Sequence, residues 1–195
     1  MPRQHEFDKD DVLDKAMRLF WARGFEATSV RDLTHAMGIS SSLYEAFGDK
    51  RAISLAALAR YCGFEQARLL EIASTAASPA EFVTRLFASP DTIAGDDAPT
   101  QGSFAFNTMV EFGPRDAGVT AQLLDHYTKI TAIVTQVLER WQQTNAVTSA
   151  VPASELAHTL LSALIGVITI GSVSRSYAHR DSVTRLMLKL IEPPL

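Results

Sequence analysis

Only one cysteine, Cys62, occurs in the 195 residues. No internal disulfide can form, and a cytosolic protein is expected on that count. The opening stretch MPRQHEFDKDD has no apolar segment, so no secretory leader is expected. A basic run is missing too. The formal net charge is −4, with nine Lys/Arg against nine Asp/Glu in residues 1–60 and nine against thirteen in the remainder. Nucleic-acid binding cannot be read from bulk charge here and must rest on shape and on the pairing of two units. A Gly-rich phosphate loop, an H-E-x-x-H and a nucleophile elbow are absent, which removes the commonest catalytic signatures. No repeat, low-complexity tract or strand-like alternation appears. The charge-free run 159–174 holds Ser162, Gly166, Thr169 and Gly171 and reads as a buried helix, not a membrane span. What remains is 47 % apolar and 21 % charged, enough for a packed core and too hydrophobic for disorder.

The organising stretch is 28–50, TSVRDLTHAMGISSSLYEAFGDK. Thr28 or Ser29 can N-cap a short helix, with Asp32 three residues after Ser29. Val30, Leu33, Ala36 and Met37 form its apolar face. Gly38 permits the positive φ of a tight turn, and Ile39 plugs the angle behind it. Ser40 can cap a second helix, in which Leu43 and Phe47 point inward while Ser41, Tyr44 and Glu45 share the opposite face. Two short helices about a glycine turn make a helix-turn-helix, and the second has a small polar face that fits a major groove. A preceding helix over about 8–23, with Leu13, Ala16, Met17 and Phe20 on one stripe, supplies the third wall. By position alone, Lys50 is equally a solvated lysine or a phosphate ligand at a helix N-terminus.

Residues 13–50 resemble the N-terminal domain of the tetracycline-repressor (TetR) family of transcriptional regulators. The pieces that carry the resemblance are AMRLFWARGFEATSVRDL, AMGIS and LYEAFGDK. It implies an all-α fold of about nine helices, with a helix-turn-helix DNA-binding domain over 1–49 and a ligand-binding and dimerisation domain over 50–195. It implies DNA contacts from Thr28, Ser29, Arg31, Ser40, Ser41, Ser42, Tyr44, Glu45 and Lys50, and it favours the phosphate role for Lys50. Chemically, Tyr44 can bond a phosphate, Glu45 can accept from a cytosine, the serines can meet either phosphate or base, and Arg31 is the strongest single candidate. The sequence departs from the family in one place. GISSSLY carries one residue fewer between the glycine and the Leu-Tyr pair, which turns the start of the second helix by about 100°. The resemblance therefore maps onto Tyr44 and Lys50 more directly than onto Ser41 and Ser42.

Further along, periodicity predicts helices over about 50–74, 80–88, 103–112, 116–144, 152–172 and 181–191, with Pro- and Gly-rich loop sequence at 89–102. The family resemblance implies a mostly apolar pocket within them, to which Cys62, Phe104, Asn107, Met109, Glu111, His126, Tyr127 and Trp141 are assigned as ligand-binding residues. Such a pocket suits a small-molecule inducer that is largely apolar with one polar handle. A lone helical cysteine is more often a small buried hydrophobe than a redox sensor. Where some electrophile- or oxidant-sensing relatives place a cysteine after the glycine of GSFAF, this chain has Ser103. The last two predicted helices carry more apolar surface than one domain covers, and the family pairs them across a two-fold axis as a homodimer. Glu155 and His158 have E-x-x-H spacing, but di-iron bundles need two such motifs and two further glutamates. The sequence thus points to a ligand-responsive, sequence-specific regulator, most readily a repressor released from double-stranded operator DNA. It needs no cofactor, metal, membrane or catalytic residue. The alternative is an all-helical metal enzyme, or a ligand-binding bundle without DNA function.

Overall fold

A computed structural model describes residues 8–38, 47–88 and 101–194, with Pro114 described by its backbone alone. Every regular element among them is helical. The order is α1 (Lys9–Arg23), α2 (Val30–Met37), α3 (Lys50–Thr75), α4 (Pro79–Ala88), α5 (Phe104–Phe112), a 3-10 turn at Gly113–Arg115, α6 (Ala117–Gln143), α7 (Ala153–Ser174) and α8 (Arg180–Ile191). Eight of the nine expected helices are present, each within two residues of its expected ends. The remaining one, over 40–47, lies outside the described residues except for Phe47, which is helical and half-buried.

Local chemistry sets the boundaries. Asp8 caps α1 by accepting from the Asp10 amide at 2.9 Å, and the Gly24 amide closes the other end on the Phe20 carbonyl. Ser29 and Asp32 form a full capping box on α2, and Gly38 ends it in the left-handed conformation. Asp49 caps α3 through the Ala52 amide, Ser103 caps α5 through the Phe106 amide, and Asp116 caps α6 through Gly118 and Val119. Each such cap is worth about 1 kcal/mol to its helix.

Two apolar clusters form the interior. The first joins α1 and α2 to the front of α3 and the starts of α5 and α6, around Val12, Phe20, Leu33, Leu58, Tyr61, Phe104 and Val119. The α1 stripe is rotated slightly from expectation, since Val12 is buried where Leu13 is only half-buried. The second joins the back of α3 to α4, α6, α7 and α8, around Ile72, Phe82, Leu138, Leu156, Leu160 and Ile191. Helix α3 runs through both. Helix α7 is the one described helix long and apolar enough to cross a membrane, yet 44 % of that stretch is buried in the fold. Its far end is different: Ile170 and Val173 are exposed, as are Leu186 and Leu190 on α8.

Candidate functional site

The corner between α1 and α2 is held from three sides. Phe25 packs its ring on Phe20 and Phe112, with centroids 6.0 and 5.0 Å away. The Lys50 ammonium lies 4.0 Å from the Phe25 ring centre, a cation–π contact that ties the start of α3 to the corner. The Glu111 carboxylate, near the end of α5, accepts from the backbone amides of Phe25 at 3.0 Å and Glu26 at 2.9 Å. Within α2, the Ser29 hydroxyl and amide hold the Asp32 carboxyl below the ordinary carboxylate range. Arg31 and His35, one turn apart, are exposed on its outer side.

Directional contacts fasten this module to the rest. Arg60 on α3 reaches Asp14 on α1 with Nη2 at 2.9 Å and also with Nε, and Asp10 with Nη1 at 3.1 Å. The Trp21 indole donates to the Gln101 carbonyl at 3.1 Å, and its ring meets Tyr61 edge-on at 5.0 Å. Arg51 grips Asp116 with two bonds of 2.7 Å, and that pairing holds the Asp116 carboxyl well below the usual carboxylate range.

A cavity of about 110 Å³ opens between α3, α5, α6 and α7. Phe106, Met109, Leu123, Tyr127, Ile130, Leu161, Leu164, Ile165 and Ile168 make it largely apolar, while Glu65, Ser103 and His126 give its polar edge. The His126 ring faces Glu65 Oε2 with Nε2 at 2.9 Å and Gln66 Nε2 with Nδ1 at 3.1 Å. With an amide donor at Nδ1, the matching tautomer carries its proton on Nε2 and donates to Glu65. The Tyr61 hydroxyl donates to Glu65 Oε1 at 2.9 Å and lies 3.4 Å from the Ser103 hydroxyl. A smaller notch shares Glu65, Ile130, Leu161 and Leu164 with the cavity and extends past Arg68 and Leu86.

Several residues assigned from sequence do other work. Thr28 is fully buried, and its hydroxyl donates to the Gly24 carbonyl at 2.6 Å, so it shapes the corner and presents nothing outward. Ser29 spends its hydroxyl on the capping box. Ser40, Ser41, Ser42, Tyr44 and Glu45 lie outside the described residues. Of the cavity set, Met109, His126 and Tyr127 line it. Glu111 faces the α1–α2 corner instead, because two backbone amides there need an acceptor. Asn107 donates to the Gln101 carbonyl, outside the cavity lining. Phe104 packs edge-on against Tyr61 in the first cluster. Trp141 sits in the second cluster, edge-on to Phe82 at 5.6 Å. Cys62 is buried in the first cluster, and burial pushes its thiol up to about 12, which makes it a packing residue and a poor nucleophile. His158 stacks on Tyr127 at 6.1 Å, and no group of three or more His, Cys, Asp or Glu among the described residues could hold a metal ion. Glu65 was missed by sequence reasoning. The available signal was a carboxylate one turn after Tyr61.

Comparison with known proteins bears on the same features. Residues 12–57 match the model of the bacterial regulatory proteins of the tetR family. The chain is 36 % identical to the HTH-type transcriptional repressor ComR of Escherichia coli (strain K12) over 131 residues, 63 % of this chain and 59 % of that one. The family likeness is thus carried by residues 12–57, the stretch that holds α1, α2 and the start of α3. The chain spans about three fifths of the length of the curated relatives it matches. Among TetR-family structures it resembles the regulator CifR, in a cysteine-substituted form complexed with 26-bp double-strand operator DNA. That likeness has 26 % identity, a TM-score of 0.84, and covers 97 % of this chain and 100 % of that one. A TetR-family regulator from Cytophaga hutchinsonii shares the fold at 18 % identity, with a TM-score of 0.82 over 96 % of this chain and 98 % of that one.

Proposed function

We propose that this chain is a ligand-responsive, sequence-specific DNA-binding regulator of transcription, a repressor that leaves its operator when a small molecule fills the cavity. One observation carries the reading. Helix α5 presents Phe106 and Met109 to the cavity and, less than one turn on from Met109, presents Glu111 to the α1–α2 corner. A ligand that shifts α5 therefore moves the element that aims the DNA-binding module. Coupling of about 1–3 kcal/mol is the ordinary scale for such a switch.

In this reading residues 1–49 form the DNA-binding domain and 50–195 the ligand and dimerisation domain, with α3 continuous between their cores. Arg31 and Lys50 contact DNA phosphate or base, together with Ser40, Ser41, Ser42, Tyr44 and Glu45 from the second helix of the motif. Two copies pair through α7 and α8, covering Ile170, Val173, Leu186 and Leu190, and set their modules about one DNA turn apart. The protein acts in the cytoplasm and carries out no chemistry. Selection of duplexes from a randomised library by the purified protein tests this reading. The expected outcome is a near-palindromic site bound by two copies, with weaker binding by Tyr44→Ala at unchanged melting temperature and by Lys50→Ala at a slightly lower one, since its contact with Phe25 is lost. Enrichment of no sequence would leave a ligand-binding bundle without DNA function.

A further inference from the structure

We infer that the cavity selects a small apolar ligand bearing one cationic nitrogen, read by Glu65. The inference rests on the cavity being the ligand site. Glu65 is the one carboxylic acid among the described residues of its lining, and it faces His126. Its side chain is 22 % exposed. Tyr61 and His126 each donate one hydrogen bond to it, one per oxygen, and fix its plane. A carboxylate has room for about four such bonds, so acceptor capacity remains on both oxygens.

Among the described residues no lysine or arginine pairs with Glu65, whose partners are Tyr61 and His126. Arg68, in the adjoining notch, is engaged by Glu71, and its Nε has no hydrogen-bond partner and no exposed surface. An anionic ligand in the cavity therefore meets a carboxylate, whereas an ammonium meets a partner already oriented. In an apolar enclosure a charged pair is favoured over a lone charge far more strongly than in water. The remaining wall, from Phe106 and Met109 to Leu161, Leu164 and Ile168, accepts a short hydrocarbon or single-ring body.

The test uses the full-length protein and three probes with one body: phenethylamine, phenylethanol and phenylacetate. Trp21, in contact with Tyr61, reports occupancy by fluorescence, and melting shifts provide a second readout. The amine is expected to bind at least tenfold tighter than the alcohol, with phenylacetate weakest. Glu65→Gln, which keeps the shape and removes the charge, is expected to bring the amine to within about twofold of the alcohol. Because the probe ranking is made on the unaltered chain, it decides even if the variant folds poorly. If the alcohol or acid binds as well as the amine, the head-group assignment is overturned and the cavity remains a ligand site. If none of the three binds, both readings are overturned.

Discussion

The two halves of the interior are held together differently. Around the first cluster, elements distant in sequence are joined by directional polar contacts: Arg60 to Asp14, Arg51 to Asp116, Trp21 to Gln101, and Glu111 to the amides of Phe25 and Glu26. Around the second cluster the joints are mostly apolar, with Phe82, Trp141, Leu156 and Leu160 packed among α4, α6 and α7. Its polar links between helices are fewer: Arg85 on α4 reaches Glu71 and Thr75 at the end of α3, and Arg140 on α6 donates to the Ala73 carbonyl. Hydrocarbon contacts supply stability without fixing one orientation, because they are non-directional. Charged and bidentate contacts add little free energy at the surface but fix angles. The first region is built to be aimed, and the second to be stable while a cavity opens beside it.

The comparison can be broken by deleting one contact of each kind. Phe82→Ala, at a fully buried ring, is expected to cost about 3–5 kcal/mol by denaturant unfolding while leaving DNA affinity per folded molecule unchanged. Gly171→Ala comes next. An added Cβ there would lie 1.9 Å from the Tyr177 ring, so the α7–α8 corner must shift, at about 1–3 kcal/mol in thermal or chemical unfolding. Glu111→Ala is expected to cost only about 1 kcal/mol of stability, since water can reach the exposed amide of Glu26. Operator affinity in the same variant is expected to fall roughly 5- to 10-fold, within the ordinary range of inter-site coupling. An equal fractional effect on stability and affinity would mean that the polar contacts do not aim the module.

The smallest effect concerns acid. The folded carboxyl of Asp116 titrates below its ordinary value of 3.8, chiefly through its bond to Arg51. A depressed acid stabilises the fold at pH values above its unfolded value, and that contribution is lost as pH falls through 3.8 toward the folded value. The melting-temperature difference between the unaltered chain and Asp116→Asn is therefore expected to be flat near neutrality and to shrink in strong acid. A difference that grows on acidification would contradict the assigned pairing.

Much of this was legible in sequence because it is local. The Ser29–Asp32 capping box and the Gly38 stop depend on residues within a few positions of each other. What was not legible depends on how helices meet. Glu111 and Met109 are two apart on α5 and so diverge, one to the corner and one to the cavity, which periodicity alone cannot orient. The resemblance assigned Trp141 to the pocket together with Tyr127, but α6 runs on past the cavity and places Trp141 in the second cluster. Glu65 was hidden for the opposite reason: one acid among the charged residues of α3 carries no pattern until Tyr61 and His126 are seen to converge on it.

The most direct measurement is operator affinity across a salt series, using a duplex selected by the protein, for the unaltered chain and for Arg31→Ala combined with Lys50→Ala. The account predicts a linear fall of log affinity with log salt, and a slope per protomer reduced by about 1 for each phosphate contact removed. Stability is predicted to fall by no more than about 1 kcal/mol, through loss of the Lys50 contact with Phe25. Identical slopes for the two proteins, or a variant that binds as tightly as the unaltered chain, would contradict it.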